Sequence, residues 1–438
     1  MRQLLADKIS GNQVGLWLLL PEHLRLGTWD LLCAWTGAAP GTVEPRLALQ
    51  LVHEAALCTC SLRQGRSLSQ KGFEVANGLP FVASDPEIHT FTWLDGHTVR
   101  EAEALQIALG KLRRASGHFG GAAQLLAIDP HRLQSYTQRQ TRRHRQDTRT
   151  KAFKVLQTFF CLDAHTGQPL GFHLSSAART VAQATPPLLL LAQSILNVTP
   201  DQPRPLVLAD CEHYDHHIVD QVRLQTPFDL LIPMPQRRGL RARCAALPES
   251  GFTRRWAGYA TAKQPWTLRD STTGPGYHLI QRSGETPGQY FYKSFFATGD
   301  RPGLADLSEH YPERWHIEEF FKSNQALGWQ RAGTLNLNIR YGQMTLALVA
   351  QALLHQLRQR LGSPFAQWDA QHFADNLFGG LDGAVQVRDD TIVVTYYNAP
   401  NVERLREHYE HLPAKLAREG VNPRMPWLYN YQLDFRFA

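Results

Sequence analysis

Gln124-Leu-Leu-Ala-Ile-Asp129 is a short apolar run that closes on an acid, and Pro205-Leu-Val-Leu-Ala-Asp210 repeats the pattern further along. Runs of this kind read as strands buried on both faces, as in the middle of an α/β sheet. Ligand sites in open α/β sheets gather at the carboxyl ends of such strands, so the two acids are candidates for one site. Two carboxylates brought together need a cation or a proton between them. Mg²⁺ meets that need, because it is a hard ion that takes one or two carboxylates and keeps positions for water and phosphate. Taken singly, each Asp also reads as an ordinary strand-to-loop turn residue.

The surrounding chain alternates strand and helix patterns. Ala152–Leu162 and Gln168–Leu174 read as strands flanking a hairpin turn at Asp163-Ala-His-Thr-Gly167, and Val181–Leu196 reads as a helix. A helix from Tyr214 to Gln225 leads into a strand, Phe228–Pro233. Residues 237–298 are rich in Arg, Gly, Pro and Trp and read as a small antiparallel insertion, with Phe291–Ala297 as a strand. Tyr311–Leu327 reads as one amphipathic helix and Met344–Leu361 as a long one. Before all of this, Leu26–Trp35, Arg46–Cys58, Ser69–Asn77 and Val99–Ala115 carry apolar residues at helical spacing. The tail mixes a strand, Thr391–Tyr397, with a helix over 401–418. The expected organisation is a helical region 1–118, an α/β core in two parts (119–236 and 299–362), a β-rich insertion (237–298) and an α+β tail (363–438).

Length and composition set the limits. A chain of 438 residues allows two or three domains, and 43% hydrophobic with 19% charged residues is a globular profile. The best apolar run, Pro186–Leu196, falls short of the roughly 20 residues of a membrane span. Gly15–Leu20 is too short for a signal-peptide core, so a cytoplasmic protein without a membrane partner is expected. The six cysteines are scattered and read as buried thiols. A sharper alternative, a metal site at Cys211, His213 and His217, lacks a distal ligand pattern.

Charge points to a polyanion. The net charge is +7, and an equal excess is packed into residues 132–154, where eight Lys and Arg face the single acid Asp147. Arg139, Arg142, Arg143 and Arg145 form the centre of that block. The insertion holds a second group, with Arg237, Arg238, Arg241, Arg243, Arg254 and Arg255 near Trp256 and Trp266. Arg on the backbone with an aromatic ring on an unpaired base is one reading of it, and ordinary core tryptophans are the other.

A third acid follows in Tyr311-Pro-Glu-Arg-Trp-His-Ile-Glu-Glu-Phe-Phe-Lys322. At helical spacing Tyr311, Arg314, Glu318 and Lys322 share one face, while Trp315, Ile317, Phe320 and Phe321 supply a packing surface. On periodicity alone that polar face also fits a solvated helix surface. In the order strand-Asp129, strand-Asp210, insertion, Tyr311-x2-Arg314-x3-Glu318, however, the chain resembles the insertion-sequence transposases of the DDE class. The resemblance covers about residues 124–361. It implies an α/β, RNase H-like catalytic core of mixed sheet flanked by helices, interrupted by a β-rich insertion.

The same resemblance implies a function. Asp129, Asp210 and Glu318 are then both the catalytic and the metal-binding residues, holding two Mg²⁺ ions, with Mn²⁺ as a substitute, for cleavage and strand transfer at the ends of an element. Tyr311, Arg314 and Lys322 contact DNA, as do Arg139, Arg142, Arg143, Arg145, Arg237 and Arg238. The partners are double-stranded DNA with terminal inverted repeats and target DNA, engaged by a homodimer that is nucleoid-associated when bound. One position departs from the family signature: the Lys seven residues after the Glu is Gln325 here. The rival readings are a non-catalytic DNA-binding protein derived from a transposase and an RNase H-like nuclease.

Overall fold

The computed structural model describes residues 9–11, 13–37, 42–59, 71–79, 92–120, 124–135, 138, 143–145, 151–174, 180–199, 201–286, 288–329 and 335–438. The chain divides into two compact units, one formed by residues 117–321 and the other by 1–116 together with 322–438.

The 117–321 unit is built on one large mixed sheet. Its strands are β1 (Leu125–Gln134), β2 (Phe153–Asp163), β3 (Gln168–Leu174), β4 (Leu206–Leu208) and β5 (Asp229–Pro233). β2 lies antiparallel between β3 and β1, while β1, β4 and β5 run parallel. The parallel connections are made by α1 (Val181–Leu196) and α2 (His216–Gln225), as parallel pairing requires. α1 starts on Thr180, whose hydroxyl accepts from the Gln183 amide while the Gln183 side chain returns the bond. β4 is buried throughout and β2 nearly so, which accounts for their unbroken apolar runs.

The insertion extends this sheet. After α3 (Arg238–Ala245) come β6 (Thr253–Trp256), β7 (Tyr259–Trp266), β8 (Gly276–Ser283) and β9 (Phe291–Ala297), and β9 pairs antiparallel with β5. The expected antiparallel insertion is therefore continuous with the core. β8 meets β9 closely: a Cβ on Gly276 would lie 2.5 Å from both the Ala297 carbonyl and the Phe296 ring. Asp220 on α2 ties down the loop before β8, accepting from the hydroxyls of Ser271, Thr272 and Thr273.

The segment carrying the third acid departs from the expected single helix. Residues 306–310 form a π-type turn, Tyr311–Trp315 a 3₁₀ turn, and only α4 (His316–Asn324) is α-helical. Ile317 and Phe320 are buried, which contributes roughly 1.5–3 kcal/mol each. Phe320 and Phe321 pack edge-on to Phe160 of β2, and Phe321 lies 4.7 Å from the His131 ring of β1. Trp315 is 60% exposed and takes no part in the expected packing surface.

The other unit holds helices over Thr28–Thr36, Glu44–Ala56, Lys71–Ala76, Val99–Ala115 and Leu337–Leu361. The long helix, expected as part of the α/β core, belongs here. A five-stranded sheet includes Gly383–Arg388, Thr391–Tyr396 and Tyr431–Phe437. The expected helix 401–418 is two helices, Val402–Tyr409 and Leu412–Arg418, broken where His411 takes φ 56°. Among the described residues no helix is long and apolar enough to cross a membrane.

Candidate active site

Strand register brings the first two acids together. β1 and β4 pair in parallel as far as Ala127 with Leu208, so Asp129 and Asp210 each stand two residues past the last pair, level and on the same face. Asp129 is not at the end of its strand, as expected from the sequence: β1 continues to Gln134 against β2 alone. Pro130 sits in this half-paired stretch, where its missing N–H costs no ladder bond.

Arg314 joins Asp129 to the third acid. Its guanidinium lies 3.7 Å from Asp129 Oδ2 through Nη1 and 3.3 Å from Glu318 Oε1 through Nη2. Nη1 is buried and faces Asp129 at ion-pair distance, without a shorter hydrogen bond. The Tyr311 ring packs edge-on to Phe295 of β9, and burial pushes its phenol up to about 12, with Arg314 opposing and Asp210 adding to the rise.

The two aspartates are shifted in opposite directions. Burial and the nearby Asp210 push the Asp129 carboxyl up to about 7, against the opposing pull of Arg314, His213 and Arg132. Burial also raises Asp210, but His213, Arg314 and the Glu212 amide outweigh it and hold this carboxyl below the usual range. Arg132 closes one wall by pairing with Glu212, while its Nε donates to Gln157 at 3.0 Å. This pair engages Arg132 within the protein, apart from the rest of the basic block.

The donor chemistry fits a hard divalent ion: three carboxylates, two of them crowded enough that one resists ionisation. Glu318 reaches the pair by way of Arg314. Among the described residues no three His, Cys, Asp or Glu side chains stand as a ready ligand cluster. Cys211, His213 and His217 do not form one either: Cys211 is exposed, His213 is turned onto Asp210, and His217 lies against His216. Cys33 is also only partly covered, whereas Cys58, Cys161 and Cys244 are buried as expected.

The remaining candidates fall outside this centre. Arg143 and Arg145 are exposed beside the start of β2, and Arg139 and Arg142 lie outside the described residues. Arg237 and Arg238 are exposed at the start of α3, and Arg237 is close enough to Cys211 to pull its thiol down against burial and two neighbouring acids. Lys322 is exposed one turn after Glu318. Gln325 opens a 3₁₀ turn after α4 ends, so the seventh position past Glu318 is no longer on that helix. Trp266 is half-buried and donates from Nε1 to the Tyr214 hydroxyl at 3.1 Å, which favours its structural reading. Trp256 is 52% exposed and stacks on Tyr259. Sequence reading did not find the Arg132–Glu212 pair or the His213–Asp210 contact; the signal for the latter was a histidine three residues after the acid.

Residues 120–353 match the transposase DDE domain, and the chain belongs to that family. It is a DDE-type DNA transposase, an enzyme class that generally uses divalent metal ions and acts on DNA. Among solved structures it is similar to a piggyBac transposase in a synaptic complex with hairpin DNA, at 12% identity and a TM-score of 0.43, over 85% of this chain and 82% of that one. No curated protein matches it.

Proposed function

We propose that this chain is a cut-and-paste transposase of the insertion-sequence kind, with Asp129, Asp210 and Glu318 as its catalytic, metal-holding acids. The observation that carries this is the level placement of Asp129 and Asp210 on adjacent parallel strands, with Arg314 within ion-pair reach of both Asp129 and Glu318. The cofactor is Mg²⁺, as two ions and replaceable by Mn²⁺. When bound, these ions supply Lewis acidity to a water or a DNA 3′-hydroxyl and to the leaving oxygen. The protein's own part is positional. Arg314 holds Asp129 and Glu318 on one guanidinium, Tyr311 stands beside Arg314, and Lys322 adds an exposed charge on the helix that carries Glu318. No covalent protein nucleophile is needed.

The substrate is double-stranded DNA bearing terminal inverted repeats, joined to target DNA by a homodimer. Arg143, Arg145, Arg237 and Arg238 are exposed and supply positive charge for the DNA phosphates. Incubating the protein and Mg²⁺ with a fragment carrying such repeats and a target plasmid tests the reading. Cleaved ends and joined strand-transfer products support it. Cleavage without joining supports a nuclease, and binding without cleavage a repurposed DNA-binding protein.

Salt dependence gives a separate check. Replacing Arg142, Arg143 and Arg145 with Ala removes three cations, so the slope of log K against log salt should fall by about 0.9 for each phosphate no longer neutralised. Affinity should drop alike on all DNA sequences. A drop confined to one sequence would mean that these arginines read bases.

A further inference from the structure

His213 is 1% exposed, yet the metal chemistry makes no use of it. It closes the short 3₁₀ turn that begins after Asp210, and its Nδ1 lies 2.6 Å from Asp210 Oδ1. The same Oδ1 accepts the Glu212 amide at 3.1 Å. An ionised carboxylate only accepts, so the ring nitrogen is the donor and the imidazole tautomer is set. Both bonds fall on one oxygen, and among the described residues Oδ2 accepts no hydrogen bond. Asp210 would otherwise be free to rotate its carboxylate on the turn that follows β4.

We propose that His213 is a positioning residue: by holding Oδ1 of Asp210 it presents Oδ2 to the divalent ion in one orientation. This rests on the reading of Asp210 as a metal ligand. Hydrogen bonds to a ligating carboxylate typically change metal affinity or activity by 10–100-fold when removed, because the ligand must then be ordered at the moment of binding. The role is distinct from ligation, since the nitrogen facing Asp210 is spent on it.

The position of the donor separates this role from plain packing. In His213→Asn the amide nitrogen can take the place of Nδ1, whereas in His213→Gln the amide lies one bond further out and misses Oδ1. Mn²⁺ binding to the full chain, measured by electron paramagnetic resonance of the free ion, should weaken about tenfold in His213→Gln and recover to within about threefold in His213→Asn. Strand cleavage should follow the same order in kcat, with KM for DNA nearly unchanged. Melting temperatures identify any variant that has simply lost its fold, and the Asn variant then carries the comparison against wild type. Equal Mn²⁺ binding by the Gln variant and wild type, or equal losses in folded Asn and Gln variants, would overturn the proposal. Asp210→Asn distinguishes the underlying reading: if it binds Mn²⁺ as wild type does, Asp210 is not a ligand and both readings fall.

Discussion

Glu318→Gln is expected to lower metal-dependent strand cleavage by on the order of a thousandfold or more, while Glu319→Gln stays within a few-fold of wild type. Both acids lie on α4, about 100° apart around it. Glu318 pairs with Arg314 at 3.3 Å, and Arg314 reaches Asp129, which is why the proposed site takes this carboxylate as its third acid. Glu319 is exposed on the flank. Gln preserves the size and hydrogen-bonding reach of Glu but removes the charge that holds a cation. DNA binding, measured by fluorescence anisotropy without divalent metal, should therefore change little in Glu318→Gln. If Glu319→Gln were instead the inactive variant, the Tyr-Arg-Glu signature would be shifted by one residue.

The unit formed by 1–116 and 322–438 is expected to lose stability steeply as pH falls from about 6.5 toward 4. His23 and His53 are both fully buried and face each other, Nε2 to Nε2, at 3.0 Å. The outer nitrogens are engaged too, His23 Nδ1 with the Thr28 hydroxyl at 2.6 Å and His53 Nδ1 with Asn77 Oδ1 at 2.7 Å. Asn77 Oδ1 can only accept, so His53 carries its proton on Nδ1, His23 Nε2 donates to His53, and Thr28 donates to His23. A second proton would put a charge in full burial, with only the neutral Thr28 hydroxyl able to turn and accept it.

Burial accordingly pushes His53 down to about 4, and burial together with His53 pushes His23 well below its usual value. These are depressed folded-state values, so the stabilisation is complete above the unfolded value of about 6.5 and is lost as the unfolded chain takes up protons that the folded one refuses. Each histidine costs about 1.4 kcal/mol per pH unit in that window. Thermal unfolding between pH 7.5 and 4.5 would show it as a steep fall in Tm. His23→Phe combined with His53→Leu should be less stable at neutral pH but flatter across the range. A double variant with the wild-type slope would place the acid sensitivity elsewhere.

How much of this was legible in the chain differs from element to element. Val181–Leu196, Gln168–Leu174, Phe291–Ala297 and Val99–Ala115 have the bounds that their pattern predicts, because each is bounded by strong local signals. Thr180 and Thr98 both head capping boxes, and the turn at 164–167 is short and polar. Asp129, Asp210 and the spacing of Arg314 to Glu318 are linear features that can be picked out of the chain alone, and the tertiary structure adds the ion-pair contacts of Arg314 with Asp129 and Glu318. Cys211 and Trp315 were misjudged because exposure is not a property of the residue type.

Other features depend on partners distant in sequence. β1 continues past Asp129 because β2 supplies hydrogen bonds as far as Gln134, whereas its own sequence reads as a strand that stops at the acid. The insertion joins the core sheet because β9 finds the free edge of β5, a pairing that no local period encodes. The Tyr311 segment winds as π, 3₁₀ and α turns in succession, so apolar periodicity predicted the right neighbours but not the helix type. The His213–Asp210 and His23–His53 contacts likewise carry no periodic signal. Local propensity and hydrophobic period settle which segments become strands and helices, whereas edge pairing, turn geometry and the partner of each buried polar group are decided when those segments pack, because unpaired backbone and buried donors cost more than local preference can offset.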